Sequence, residues 1–203
     1  MQTICSGSME FTPEFEVAVA AYRHKIFIER LGWQLPVQGG LERDQFDRDD
    51  TIYVVARSDE GNICGCARLL PTTHPYLLGE VFPQLMNGLP PPSAHDVWEL
   101  SRFAVADLKA GALGGEQQAQ SSRELLAAVV RVVMQRGAQR LITVSPLGVE
   151  RLLHRMGVHA HRAGPPLHVD GKPIFACWIE IDEQTCSALG LRLPAQERVT
   201  LPH

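Results

Sequence analysis

The chain has 203 residues, 45% of them hydrophobic and 21% charged, with a formal net charge of −4. Those proportions fit one soluble globular domain, and the negative balance argues against a chain that neutralises nucleic-acid phosphates. No stretch nears the ~20 apolar residues of a membrane span, and Met1–Thr12 has no basic region followed by an apolar run, so no secretory leader is expected.

Thr12-Pro13-Glu14 has the chemistry of a helix start, with Thr as cap, Pro in the first turn and Glu at the positive end. Phe15, Val19, Tyr22 and Ile26 recur at helical spacing and are expected to face the core, with Arg23, Phe27 and Arg30 as a second stripe. A long arginine on such a stripe is ordinarily solvated, so Arg23 alone says little. From Gly32 to Asp50 the periodicity stops. The segment is punctuated by Gly and Pro and rich in acids, and loops of that length in compact domains tend to be functional. It also carries Trp33 and Phe46, which a floppy acidic linker seldom does.

Thr51 to Ser58 and Ile63 to Leu70 are expected to be strands of a hairpin turning at Asp59-Glu60-Gly61-Asn62. Arg68 shares a strand face with Cys64, Cys66 and Leu70, and needs an anionic partner there, from the protein or a ligand. Gly79 to Met86 reads as a short helix. Val97 to Val105 is a strand with apolar residues on both faces, hence deep in a sheet, yet it holds Glu99 and Arg102. Strict alternation would separate those two, whereas a bulge between them would bring both to one side, as happens beside active sites. A single structural ion pair explains the strand alone equally well.

Ala106 to Gln120 is polar and Gly-rich, expected to be a mobile loop, and Ser121-Ser122-Arg123-Glu124 reads as a capping box opening the next helix. Leu125, Val129, Val132 and Val133 form its apolar stripe and Gly137 ends it. Then follow a strand (Arg140 to Ser145), a helix (Gly148 to Met156, closed by Gly157), a strand (Pro173 to Ile181) and a helix capped by Asp182 and reaching Leu189. The order gives one α/β domain over residues 1–203 with a mixed sheet, its tail from about 194 to 203 frayed. Five cysteines, an odd count without a leader, suit free thiols in a reducing, cytoplasmic setting. Cys64-Gly65-Cys66 has no common metal spacing, and His159 and His161 have no acid or thiol near them in sequence, so no metal site is expected.

The patterns Arg23-x3-Phe27-x5-Trp33, Asp44-Gln45-Phe46-Asp47, Cys64-Gly65-Cys66-Ala67-Arg68-Leu69-Leu70-Pro71-Thr72-Thr73 and Glu99-Leu100-Ser101-Arg102-Phe103 resemble the LuxI-type acyl-homoserine lactone synthases, which make quorum-sensing autoinducers in bacteria. The likeness runs from about Tyr22 to Ile181. The strings Phe46-Asp47-Arg48-Asp49-Asp50 and His159-Ala160-His161-Arg162-Ala163-Gly164-Pro165-Pro166 are similar to the octanoyl-type synthases of Burkholderia-like bacteria. The resemblance implies a GNAT-like three-layer sandwich around a mixed, mainly antiparallel sheet. It also implies two substrates, S-adenosylmethionine and an acyl chain on acyl carrier protein. The first is consumed, so no cofactor is expected.

By the same resemblance, Glu99 is the candidate base for the methionine amine, directly or through one water, with Arg102 beside it. Burial between apolar neighbours would raise its pKa toward that task. Arg23, Phe27 and Trp33 are candidate walls of the S-adenosylmethionine site, with Phe103, Arg68, Asp44 and Asp47 completing it. Arg68 and Arg102 would hold carboxylates, and Asp44 and Asp47 would hold the sulfonium or Arg23. Thr143, Ser145 and Leu147 are the candidate acyl pocket, for a medium chain, octanoyl first, with a 3-hydroxyacyl chain as the alternative. Arg151 and Arg155, with Arg162, are candidates for docking the acidic carrier. Two rivals stay open. One is an acetyl-CoA-dependent N-acetyltransferase, disfavoured because Gly111, Gly114 and Gly115 stop short of a helix starting at Ser121. The other is a non-catalytic module that binds acyl chains or carrier protein.

Overall fold

A computed structural model describes residues 1–7, 9–108 and 114–193. The chain opens with β1 (Gln2–Cys5), then α1 (Pro13–Arg23), where Thr12 Oγ1 caps the amide of Phe15 and Pro13 occupies the first turn. The helix widens into a π-helical stretch over His24–Arg30, with Leu31 N donating to Ile26 O. Such widened turns collect at functional sites. A miniature hairpin, β2 (Val37–Gln38) and β3 (Leu41–Glu42), sits inside the segment read as an irregular loop. Next come β4 (Ile52–Arg57), β5 (Ile63–Pro71), α2 (Leu77–Val81), a 3₁₀ turn (Pro83–Met86) and β6 (Val97–Val105). The remainder is α3 (Gly115–Met134), β7 (Arg140–Pro146), α4 (Leu147–Met156), β8 (Ala160–Arg162), β9 (Leu167–Val169), β10 (Lys172–Glu180) and α5 (Glu183–Ala188).

The main sheet runs β1-β4-β5-β6-β7-β10-β8, with β9 also pairing β10. Every pair is antiparallel except β6–β7, which α3 joins as a crossover. Alternation assigns the layers. Val54, Leu69 and Leu100 face a core with Leu125, Leu126, Val129, Val130 and Val133 of α3, while Val55 and Cys66 face Val19, Tyr22 and Phe27 of the first helix. All five of those α3 side chains are buried, each worth roughly 1.5–3 kcal/mol relative to exposure. Helices α3 and α4 therefore lie on one face, α1 and α2 on the other. No helix among the described residues is long and apolar enough to cross a membrane.

Three expectations need correction. The helix α3 starts at Gly115, with Gly114 as its cap, so Ser121 and Ser122 lie inside it and form no capping box. Ser122 Oγ instead donates to Gln118 O, one turn back, a bond serine makes inside helices. The supposed loop from Ala106 to Gln120 is accordingly helical from Gly115, while residues 109–113 fall outside the described residues, as does the tail expected to fray from 194. Finally, β1, β8 and β9 are strands that the sequence pattern did not predict. The last two are three residues each, set among Gly and Pro.

Candidate active site

Only Val97–Glu99 of β6 pairs with Arg140–Ile142 of β7; beyond them the two parallel strands part. Their separation opens a cavity of about 160 Å³ through the sheet. On the α1 side its wall is Phe27, Leu31, Trp33, Leu77, Ser101 and Arg102. On the α3–α4 side it is apolar, with Leu100, Leu126, Leu152, Leu153, Met156 and Ile179. Thr143, Val144, Ser145 and Pro146 of β7 line the span between.

A bulge in β6 sets the polar end. Cys66 is opposite Ala104 and Arg68 opposite Ser101, leaving Ala67 to face two residues, Arg102 and Phe103. Arg102 takes the extra place in left-handed backbone, φ 52°. The bulge resets alternation so that Glu99, Ser101 and Arg102 all point to the α1–α2 side, as the acid–base spacing of this strand had suggested.

Three buried arginines meet three carboxylates there, Glu42 buried and Asp44 and Asp47 partly buried. Arg23 donates to Glu42 (2.5 Å) and, bidentately, to Asp47 (2.8 and 3.1 Å). Arg68 grips Asp44 (2.6 and 3.1 Å), reaches Asp47 (2.9 Å) and donates to Ser101 Oγ (3.0 Å). Arg102 binds Glu42 (2.8 Å) and Asp44 (2.8 Å), and the Tyr53 hydroxyl donates to Asp47. Each guanidinium also lies 5.7–5.8 Å from an aromatic ring, Tyr53, Phe46 and Phe27 in that order. Burial alone would raise the carboxyl pKa values, but arginine bonds and charge hold Glu42 and Asp47 below their ordinary range. The six charges cancel, which is what lets them be buried.

Glu99 stands apart from this network. It makes no ion pair with Arg102; its oxygens accept from the amides of Leu77 (2.9 Å) and Leu78 (2.7 Å), at the start of α2. Burial pushes its pKa up to about 7, against the opposing pull of those two amides and of Arg68 and Arg102. The residue lies just behind the cavity wall, between wall residues Leu77 and Leu100.

The other candidate positions divide cleanly. Phe27, Trp33, Phe103 and Arg102 line the cavity, the first two with ring centroids 5.1 Å apart. Arg23, Arg68, Asp44 and Asp47 do not line it; they form the support beneath, and Asp47 serves Arg23 as one of its two alternatives proposed. Arg23, expected to mean little, is 1% exposed. Thr143 and Ser145 line the cavity and hydrogen-bond each other at 3.1 Å, whereas Leu147 packs outside it and Val149 takes that place. Arg151 and Arg155 are exposed on α4 with no ion pair among the described residues, but Arg162 is clamped by Glu150 at 2.7 and 2.6 Å. His159 and His161 do have acids nearby, Asp182 and Glu180, brought from the distant β10–α5 segment. Among the described residues no group of three could hold a metal.

Sequence reasoning missed Glu42, Tyr53 and Ser101. Three buried arginines call for three carboxylates, a count that asks for one acid beyond Asp44 and Asp47 without naming Glu42.

The sequence pattern of the autoinducer synthases matches residues 13–189. The chain belongs to that family. It is an acyl-homoserine-lactone synthase, an acyltransferase that makes a quorum-sensing signal. An acyl-homoserine-lactone synthase of Ralstonia nicotianae is 53% identical over 193 residues, 94% of each chain. The crystal structure of TofI in a ternary complex with an inhibitor and MTA has 49% identity and TM-score 0.82, covering 95% of this chain and 98% of that one. BjaI, a CoA-dependent acyl-homoserine lactone synthase solved with SAM and isopentyl-CoA, has 27% identity and TM-score 0.80, covering 93% and 88%. A putative N-acetyltransferase from Lactobacillus plantarum, at 20% identity and TM-score 0.58, covering 89% and 98%, shares the fold, so the GNAT-like architecture expected of this synthase is present. Belonging to this family sets aside the rivals of a plain N-acetyltransferase and a non-catalytic module.

Proposed function

We propose that this synthase acylates the amine of S-adenosylmethionine with a medium chain, octanoyl first, delivered by acyl carrier protein in the cytoplasm. The observation that carries this is the two-ended cavity. One end has aromatic rings, suited to a sulfonium or adenine, and a guanidinium, suited to a carboxylate. The other end is apolar, suited to an alkyl chain. The parting of β6 from β7 leaves strand-edge amides and carbonyls to hold the thioester arm between the two ends.

In this reading the amine loses a proton to Glu99 through one water and attacks the thioester carbonyl. Each Glu99 oxygen keeps a lone pair beyond its bond to Leu77 or Leu78, and a pKa near 7 suits the transfer. The amide forms and the carrier thiol leaves with a proton. The substrate carboxylate then attacks the carbon bonded to S⁺, that C–S bond breaks, and methylthioadenosine leaves as the lactone closes. Holding the folded-back conformer is the main help this second step needs. S-adenosylmethionine is consumed and no cofactor takes part. Thr143 and Ser145 spend one O–H donor on each other and keep the second, which is the group that would meet a C3 oxygen if the chain carried one.

Arg151 and Arg155, four apart on α4 and without an ion pair among the described residues, support docking of an acidic carrier; Arg162 is engaged by Glu150 and drops out. The free state of all five thiols supports a reducing compartment. A second reading, acyl-CoA as donor, is favoured by the position of Gly114 and Gly115 at the very start of α3, which removes the objection raised from sequence. Glu116 in that first turn opposes it by repelling a pyrophosphate. Octanoyl-carrier protein and octanoyl-CoA, assayed side by side with mass spectrometry of the lactone, decide between them. Faster turnover of the CoA ester would overturn the carrier assignment. Reversing the charge of Arg151 and Arg155 should weaken carrier binding and flatten its salt dependence; an unchanged association rate at low salt removes this patch.

A further inference from the structure

The apolar end of the cavity is closed by side chains from separate helices, Leu126 from α3 and Leu153 and Met156 from α4. Met156 is the last residue of α4 and is 4% exposed. Methionine is a soft stop, because its unbranched side chain adapts to what presses on it. How firmly it ends a cavity depends on how firmly its backbone is held.

That backbone is held by a residue outside the lining. Arg123 Nη1 donates to the Met156 carbonyl at 3.1 Å and also to the carbonyl of Ala188, the last residue of α5. Both acceptors are helix-terminal carbonyls without an intrahelical partner, and a cation at the end of α4 also meets its negative pole. Arg123 makes no ion pair among the described residues, so these carbonyls are what the guanidinium serves. It sits three residues, less than one turn, before Leu126. One side chain therefore locks the α3 part of the cavity floor to the α4 part. Gly157, in left-handed backbone at φ 79°, turns the chain immediately after Met156, and Gln184 Nε2 fastens its carbonyl at 3.1 Å.

We infer that Arg123 is a positioning residue for acyl-chain length: by tying the end of α4 to α3 and α5 it fixes Met156 as the floor of the acyl cavity. The inference rests on the reading that this cavity takes the acyl chain. Its test is a competition between octanoyl- and decanoyl-carrier protein in one reaction, with the ratio of the two lactones read by mass spectrometry. Arg123→Met removes the tie and leaves the lining untouched, so the decanoyl-to-octanoyl ratio should rise about fivefold. Met156→Ala, which shortens the floor itself, should raise it about tenfold or more, within the range one or two methylenes command in an apolar pocket. Arg123→Lys, which keeps a cation on one donor nitrogen at shorter reach, should fall between wild type and Arg123→Met, and it serves in place of the methionine variant should that one be insoluble. A merely structural role would lower both products in parallel through the folded fraction and leave their ratio alone. A wild-type ratio in the Arg123 variants beside a shifted one in Met156→Ala overturns the inference and leaves the acyl cavity standing. A wild-type ratio in all of them overturns the cavity reading as well.

Discussion

The two ends of the cavity are built on opposite principles. The α1 end stands on six interlocked charges with bonds as short as 2.5 Å, most of them behind the wall. The α3–α4 end is hydrocarbon held by packing, which fills space without directing it. A charge network is all or nothing: removing one member leaves a buried partner unpaired. A packed apolar floor yields by degrees, a methylene at a time. The charged end therefore tolerates change poorly, while the apolar end can be resized in small steps.

Breaking the charged end should give the largest effect. Glu42→Ala takes one of two carboxylate partners from Arg23 and from Arg102 and leaves the buried cluster with one positive charge in excess, so a loss of about 3–5 kcal/mol in urea unfolding is expected, as for other broken buried pairs. A loss below about 1 kcal/mol would mean that water replaces the carboxylate.

Next comes Glu99→Gln, expected to lower kcat/KM by ~10²-fold or more with the fold retained. The wild-type rate should climb with pH through about 7 as Glu99 ionises, and that limb should vanish in the variant. A limb that persists would make Glu99 a cap for α2 and nothing more. The same group bears on stability. Its folded pKa is raised above the unfolded value of 4.5, so its contribution is full below 4.5 and is lost as pH rises toward about 7. Glu42 and Asp47 have the opposite sign: their pKa values are lowered by folding, so their contribution is present above the unfolded values and is lost in acid. Wild type should lose part of its stability between pH 4.5 and 7, and Glu99→Gln should not.

Trp33→Ala probes the rim of the charged end, and should raise KM for S-adenosylmethionine about tenfold while the acyl donor's changes little. Equal effects on both would contradict a dedicated role. Ser145→Ala should do least. It removes one hydroxyl pair, worth ~1 kcal/mol, and should leave the product unchanged. A shift toward more unsubstituted lactone would show that Ser145 binds a C3 oxygen.

The strands were readable because apolar runs bounded by turn residues survive in β4, β5 and β6, and the first helix and α3 because apolar residues recur there at helical spacing. The start of α3 was not. Glycine is a weak cap signal, and Ser121-Ser122-Arg123-Glu124 presents a start motif inside a helix, where Ser122 bonds back to Gln118 and Glu124 pairs with Gln120 on the surface. Within the site, the residue types were readable and their stations were not. Arg23, Asp44 and Asp47 entered the site through the family resemblance and Arg68 through its need for an anionic partner, and only the tertiary arrangement shows that they bond one another. Glu42 was hidden among seven charged residues between positions 42 and 50. The bulge that turns Arg102 toward Phe27 was legible from the odd spacing of an acid and a base on one strand.

The six charges also carry information about the order of assembly. They come from α1, from the segment over 42–47, from β5 and from β6, and the bonds of Glu42 alone reach across 19 residues to Arg23 and 60 to Arg102. Loops of that span close slowly, and a half-built cluster is worse than none, since each unpaired ion loses its water without gaining a partner. The cluster is therefore expected to form after the β4–β5–β6 meander, as a late, cooperative step, so that Glu42→Ala speeds unfolding and leaves the folding rate near that of wild type. In dilute denaturant the cluster is expected to open while the meander and α3 remain, so that on the proposed reading of the cavity synthesis of the signal stops before the fold is lost.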